Sequence, residues 1–152
     1  MIAEFETLND NEVEIMLKAP ILVCILIAGA DGKIDRKEVK EAITIAGRQA
    51  KSRGVLSDYL RYASEDFEDK IMILKQGYPQ DSSERAAIIV NELSTLNAIL
   101  PKISKSFSIQ FHSMLKELAT KVASSSGGWL GISAVGSEEA QYLDLKMIKD
   151  PA

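Results

Sequence analysis

Apolar residues recur along the chain at the three-to-four-residue spacing of an α-helix, and no stretch shows the sustained alternation of a half-buried strand. This pattern predicts an all-α fold, a single-domain bundle of about six to seven helices over residues 1–152. The first helix is predicted to begin at Asn11 with Asn9 or Asp10 as its N-cap. Pro20 is predicted to kink that helix or to start a new one.

The apolar run at 20–30 is the strongest core signal in the chain. It is well short of the roughly 20 residues that cross a bilayer, so it predicts a core helix and no transmembrane segment. A glycine turn follows, and Asp35 is predicted to cap a second helix, with Glu38 completing a capping box. The buried face of that helix is predicted to contain Val39, Ala42, Ile43 and Ala46.

Three further apolar faces predict the rest of the bundle, with a split near Ser64 and stops at Gly77 and Pro101. The first face comprises Leu60, Ala63, Phe67, Ile71 and Leu74; the second, from about Ser82 to Leu100, comprises Ala86, Ile89, Val90, Leu93 and Leu96; the third comprises Phe107, Phe111, Met114, Leu115, Leu118 and Val122. A Gly-rich loop is predicted at 124–136. Ser137 is then predicted to cap a last helix that docks through Tyr142, Leu143, Leu145 and Met147.

Two segments share one pattern, in which an apolar helix is followed by a glycine-containing turn and an acid-rich helix start. They begin at Ile21 and at Leu115. We interpret them as a weak internal repeat that forms two helical hairpins facing each other across the core. The loops of the two segments differ in length, so an unrelated origin stays open.

A chain of 152 residues with 46% hydrophobic and 26% charged residues has the composition of one globular domain. Its net charge is −4, and no cluster of Lys and Arg is long enough to follow a phosphate backbone, which argues against a nucleic-acid partner. Cys24, the single cysteine, lies in the apolar run and is predicted to be buried and unreactive. The N-terminus lacks the positive charge of a secretory signal, so a cytoplasmic location is expected.

The junction at 29–38, with the sequence GADGKIDRKE, is similar to the second half of an EF-hand calcium loop. The first and third ligand positions of such a loop would fall on Ile27 and Gly29, which have no side-chain oxygen, so a complete cage cannot form. Asp31, Asp35 and Glu38 could still supply three oxygen ligands to Ca²⁺ or Mg²⁺. A tight turn, an N-cap and a capping box explain the same three residues without an ion.

The junction and the C-terminal motifs Gly127-Gly-Trp-Leu-Gly131 and Ser137-Glu-Glu139 together resemble the tellurite-resistance TerB-like family over most of the chain. The resemblance implies an all-helical, two-hairpin domain of the bacterial cytoplasm, with acidic residues at both hairpin loops that bind a divalent metal. By position, Asp31, Asp35 and Glu38 match the first acidic motif, and Glu138 or Glu139 matches the second. The chain has a Ser-Gly stretch where a second Asp-Gly turn would be expected, which puts a metal in the second loop in doubt.

Trp129 and Leu130 stand among glycines and could anchor a partner protein or a membrane surface; the alternative is that Trp129 folds back as a plug. The spacing of the glycines matches no phosphate- or dinucleotide-binding loop, so no organic cofactor is expected. His112 has no second His or Cys to complete a zinc site, and a structural or surface role is expected for it.

Three functions are compatible with these residues. The first is a non-enzymatic, metal-binding TerB-like module that contacts other proteins in a stress response or at a membrane-associated complex. The second is a metal-independent adaptor that binds a protein through Trp129 and the C-terminal helix. A hydrolase that uses clustered carboxylates and a metal-bound water ranks last, because the sequence indicates neither a dedicated ligand set nor a pocket.

Overall fold

A computed structural model of the chain describes residues 2–28, 56–127 and 142–152. These ranges are helical and contain no strand, which confirms the all-α prediction. Five α-helices longer than one turn are described, slightly fewer than expected. They are α1 (Asp10–Ala28), α2 (Ser57–Ser64), α3 (Phe67–Gln76), α4 (Ser82–Ser94) and α5 (Lys105–Gly127). A one-turn helix (Leu96–Ile99) and two 3₁₀ turns (Ala3–Phe5 and Leu100–Lys102) complete the described elements.

Helix α1 is the central element of the bundle, in contact with each of the other four helices and most extensively with α5. Its second half is apolar on every side, and each residue from Ile21 to Ile27 exposes 3% or less of its surface. A helix without a polar face must be covered all round. The core-helix prediction for the run at 20–30 is therefore confirmed for its described part, and Cys24 is buried as expected.

Helix α1 begins with a capping box, for which the sequence predicted two possible N-cap residues, Asn9 and Asp10. The side-chain Oδ1 of Asn9 accepts the Glu12 N–H at 2.9 Å, and Glu12 Oε1 accepts the Asn9 N–H at 3.0 Å. The two side chains thus satisfy two backbone donors reciprocally. Asn9, and not Asp10, is the N-cap.

Helix α1 continues through Pro20, so the prediction that a new helix begins there is wrong. Because proline has no N–H, the carbonyl of Met16 cannot accept the usual hydrogen bond from residue 20. Tyr59 of α2 takes its place, and its buried hydroxyl donates to the Met16 carbonyl oxygen at 2.6 Å. The proline thus creates an acceptor on the central helix that an adjacent helix satisfies.

The helix predicted from Ser82 to Leu100 is interrupted at Thr95. The hydroxyl of Ser94 donates to the Asn91 carbonyl, and that of Thr95 donates to the Glu92 carbonyl, each at 2.6 Å. Hydroxyl groups that bond to the preceding turn in this way compete with the helical hydrogen-bond pattern. The split predicted near Ser64 is confirmed, with Asp66 at a φ of 52° between α2 and α3.

Two predictions for the C-terminal third of the chain are wrong. The loop predicted at 124–136 does not begin at residue 124, because α5 continues to Gly127. The last helix does not extend over Tyr142 to Ile148, where the chain makes two successive turns with Leu145 between them at a φ of 46°. Leu145 and Ile148 are nevertheless buried, so this segment does dock on the bundle.

Four aromatic rings pack against one another in the core where α2 and α5 meet the first 3₁₀ turn. They belong to Phe5, Tyr59, Phe107 and Phe111. Phe107 packs edge-on against Phe5 with 5.8 Å between ring centroids and against Tyr59 with 5.9 Å, and it stacks with Phe111 at 6.1 Å. Tyr59 also meets Phe111 edge-on at 5.4 Å. These contacts attach the N-terminal residues to α5, and the predicted buried face of α5 is confirmed at every position.

Candidate functional site

All the site residues predicted from the sequence lie outside the described residues. They are the metal-ligand candidates Asp31, Asp35, Glu38, Glu138 and Glu139 and the partner-binding candidates Trp129 and Leu130. The described helices do fix where the chain enters these segments. The junction at 29–38 follows α1 directly, and the segment that carries the second motif follows α5.

Helices α1 and α5 run in the same direction, as the contacts between the residues at and before their starts indicate. The hydroxyl of Thr7 donates to the Lys102 carbonyl at 3.1 Å, and the Lys102 ammonium forms an ion pair with Glu12. Further along both helices, Tyr59 contacts the Phe111 ring and the Met16 carbonyl together. Residue numbers therefore increase along both helices from the same end of the bundle.

The C-terminal ends of α1 and α5 consequently lie at one end of the bundle. At a rise of about 1.5 Å per residue, Ala28 is about 18 Å beyond Met16, and Gly127 is about 24 Å beyond Phe111. The two ends thus differ by about one helical turn along helices that pack side by side. The two segments that carry the acidic motifs therefore both leave the described bundle at this end, and the second of them returns to it at Tyr142.

This end of the bundle favours a cation on electrostatic grounds. Each helix C-terminus leaves up to four backbone carbonyls without a helical donor and carries a partial charge of about −0.5. Two parallel helices place both partial charges at the same end. Asp31, three residues after the end of α1, would add to this negative potential, and a divalent cation would neutralise it.

Elsewhere in the described ranges, no three His, Cys, Asp or Glu side chains converge in a way that could hold a metal ion. The acidic groups that do meet are paired. Tyr78 donates its hydroxyl to Glu92 at 2.9 Å, and Lys18 lies 3.5 Å from Glu92 and 3.8 Å from Glu14. Burial and the Glu92 carboxylate raise the pKa of Tyr78 well above its ordinary value, so this hydroxyl stays protonated and links α4 to the loop before it.

His112 and Cys24 are the single histidine and the single cysteine of the chain, and both are buried. Burial alone raises the pKa of the Cys24 thiol far above its ordinary value, which keeps it protonated and inert. Burial also lowers the pKa of His112, and the nearby charge of Asp150 partly opposes this effect. His112 Nε2 has no hydrogen-bond partner among the described residues.

The burial of His112 predicts a pH dependence of stability. Its pKa is lower in the folded chain than in the unfolded one, so the unfolded chain binds more protons as the pH falls below about 6.5. We expect the free energy of unfolding to fall as the pH decreases from about 6.5 to about 5 and His112→Gln to reduce this slope. Urea unfolding of both proteins at a series of pH values measures the two slopes. Equal slopes in the two proteins would contradict the prediction.

Asn97 holds the C-terminal segment to the bundle, a role that no sequence motif indicates. Its side chain donates to the Met147 carbonyl at 2.9 Å and accepts the Lys149 N–H at 2.7 Å. The side-chain amide thereby pairs with the backbone of the segment as a neighbouring peptide group would. Since Leu145 and Ile148 are turned into the core, the described part of this segment offers no helical apolar face to a partner.

Comparisons with models of known protein families, with curated proteins and with solved structures found no significant match. No helix within the described ranges is long and apolar enough to span a membrane.

Proposed function

We propose that this chain is a non-enzymatic, cytoplasmic TerB-like domain that binds a divalent cation, Ca²⁺ or Mg²⁺, and acts through contacts with other proteins. Asp31, Asp35 and Glu38 supply the first ligands, and Glu138 or Glu139 supplies the ligand from the second motif. Oxygen ligands of this kind suit both cations. The cation would couple the two acidic segments to the angle between the helices that carry them.

The observation that carries the proposal is the parallel arrangement of α1 and α5, whose C-terminal ends lie together. Three carboxylates of one junction are too few for a hard cation that takes six or more oxygen ligands. The second acidic motif, in the segment that follows α5, would supply further oxygen atoms. The partial negative charges at the C-terminal ends of the two helices add to the attraction for the cation, although they supply no ligand atom.

Isothermal titration calorimetry with CaCl₂ and MgCl₂ tests the metal site. The variant Asp31→Asn/Glu38→Gln keeps the turn, helix-capping and capping-box chemistry of both positions but removes two negative charges. We expect the wild type to bind with measurable heat and this variant to bind at least about tenfold more weakly. Glu138→Gln/Glu139→Gln should also weaken binding if the second motif contributes.

The control is Asp69→Asn/Glu84→Gln, which removes the same charge from exposed positions on α3 and α4. This control should bind as the wild type does. No heat at millimolar Ca²⁺ or Mg²⁺ in the wild type, or equal affinity in the Asp31→Asn/Glu38→Gln variant, would contradict the metal site. In either case the turn-and-capping interpretation of the junction would be sufficient.

A further inference from the structure

A cavity of about 330 Å³ lies between the C-terminal segment and the start of α5. This volume is at the small end of the range of ligand-binding pockets in proteins. Its lining comes from the second 3₁₀ turn, from the first turns of α5 and from the last residues of the chain. The lining residues are Asn97, Leu100, Pro101, Ile103, Lys105, Ser108, Lys149, Asp150 and Pro151.

Three charged residues line the cavity, Lys105, Lys149 and Asp150, so the net charge of its lining is positive. Ser108 donates its hydroxyl to the Leu100 carbonyl at 2.9 Å, and Asp150 Oδ1 accepts the Ala152 N–H at 2.9 Å. Lys105 and Lys149 form no ion pair with another described residue. The two cations come from different elements, one from α5 and one from the C-terminal segment.

The remaining lining is apolar, since Leu100, Pro101, Ile103 and Pro151 contribute hydrocarbon surface. A hydrocarbon surface next to two unpaired cations is complementary to a ligand with an anionic head and an apolar body. A bare inorganic anion would leave the apolar lining in contact with water. A neutral apolar ligand would leave both ammonium groups without a partner.

We propose that this cavity binds a medium-chain carboxylate. The carboxylate lies between the ammonium groups of Lys105 and Lys149, and the hydrocarbon chain covers Pro101 and Pro151 beside the largely buried Leu100 and Ile103. Binding therefore connects the C-terminal segment to α5, in addition to the Asn97 hydrogen bonds that already hold it. The site is separate from the acidic motifs and needs no metal.

The probe is sodium octanoate, titrated into the full chain and followed by two-dimensional NMR of the backbone amides with EDTA present. We expect saturable shifts around Lys105 and Lys149, and each of Lys105→Gln and Lys149→Gln should weaken binding by about fivefold. The matched control is Lys146→Gln, which removes an exposed lysine of the same segment that does not line the cavity. That variant should bind octanoate as the wild type does.

Two further titrations decide which property of the ligand is recognised. Octylammonium chloride has the same hydrocarbon chain with the opposite charge, and sodium phosphate has the charge without the chain. Both should bind at least about fivefold more weakly than octanoate. Absence of saturation with octanoate, an equal effect of Lys146→Gln, or equal binding of octylammonium or phosphate would overturn the proposal. Since EDTA removes free divalent cations, none of these outcomes bears on the proposed metal site.

Discussion

Replacing Phe107 by Ala is expected to lower the free energy of unfolding by about 3–5 kcal/mol, the cost typical of removing a fully buried aromatic ring. Phe107 is 0% exposed and contacts the rings of Phe5, Tyr59 and Phe111. Phe5 belongs to the first 3₁₀ turn, Tyr59 to α2, and Phe111 to the next turn of α5 itself. The remaining rings cannot all close on the vacated volume without moving α5 relative to its neighbours, so most of the cavity should persist.

Urea unfolding followed by circular dichroism measures this loss. Phe107→Leu keeps more of the buried volume and should cost less than the alanine variant. Ile109→Ala, on the same helix but 37% exposed, should change stability by less than about 0.5 kcal/mol. A loss near 1 kcal/mol for Phe107→Ala would contradict the expectation and would mean that the N-terminal turn and α2 collapse readily into the space.

The sequence predicted most of the helical faces correctly because their burial repeats with the period of the helix. Leu60, Phe67 and Ile71 lie on one line in the sequence pattern and are all buried in the bundle, although a break separates α2 from α3. The break was also predictable, since Asp66 adopts left-handed backbone angles that aspartate tolerates better than most residues.

The wrong predictions have local physical causes that periodicity does not report. The apolar pattern of α4 continues past Thr95 to Leu96, yet the Thr95 hydroxyl donates to the Glu92 carbonyl and the helix is interrupted there. The serines before Gly127 have only modestly lower helix propensity than alanine, so helix α5 extends through them to Gly127. Leu145 occupies a left-handed conformation that is uncommon for a leucine, and no pattern of apolar residues predicts it.

The two candidate sites differ in how far the sequence could indicate them. The acidic junction is contiguous, so its ligands are visible as a motif. What the helices add is that the segments with the two motifs follow helices that run in the same direction. Lys105 and Lys149 are far apart in the sequence and belong to no motif. They line one cavity only because Asn97 and the buried Leu145 hold the C-terminal segment against α5.

Tyr59→Phe is expected to destabilise the chain by about 1–3 kcal/mol, because it leaves the buried Met16 carbonyl without its hydroxyl donor. The ring contacts of residue 59 are unchanged by this substitution, so the loss reports the hydrogen bond. The cost should depend on Pro20, which has no N–H of its own to offer to that carbonyl. Urea unfolding of the single variants Tyr59→Phe and Pro20→Ala and of the double variant forms a double-mutant cycle that measures this dependence.

In Pro20→Ala, residue 20 regains an N–H four positions after Met16 and can donate the ordinary helical hydrogen bond to its carbonyl. Tyr59→Phe should therefore cost at least about 0.5 kcal/mol less in the Pro20→Ala background than in the wild type. Val13→Ala, a truncation of a partly buried residue on the same helix, is the control and should be additive with Tyr59→Phe. Equal costs of Tyr59→Phe in both backgrounds would show that the tyrosine does not substitute for the hydrogen bond that the proline removes. A coupling of the expected sign would instead establish that Pro20 and Tyr59 act as one unit, in which a hydrogen bond from α2 replaces the one that the proline removes from the central helix.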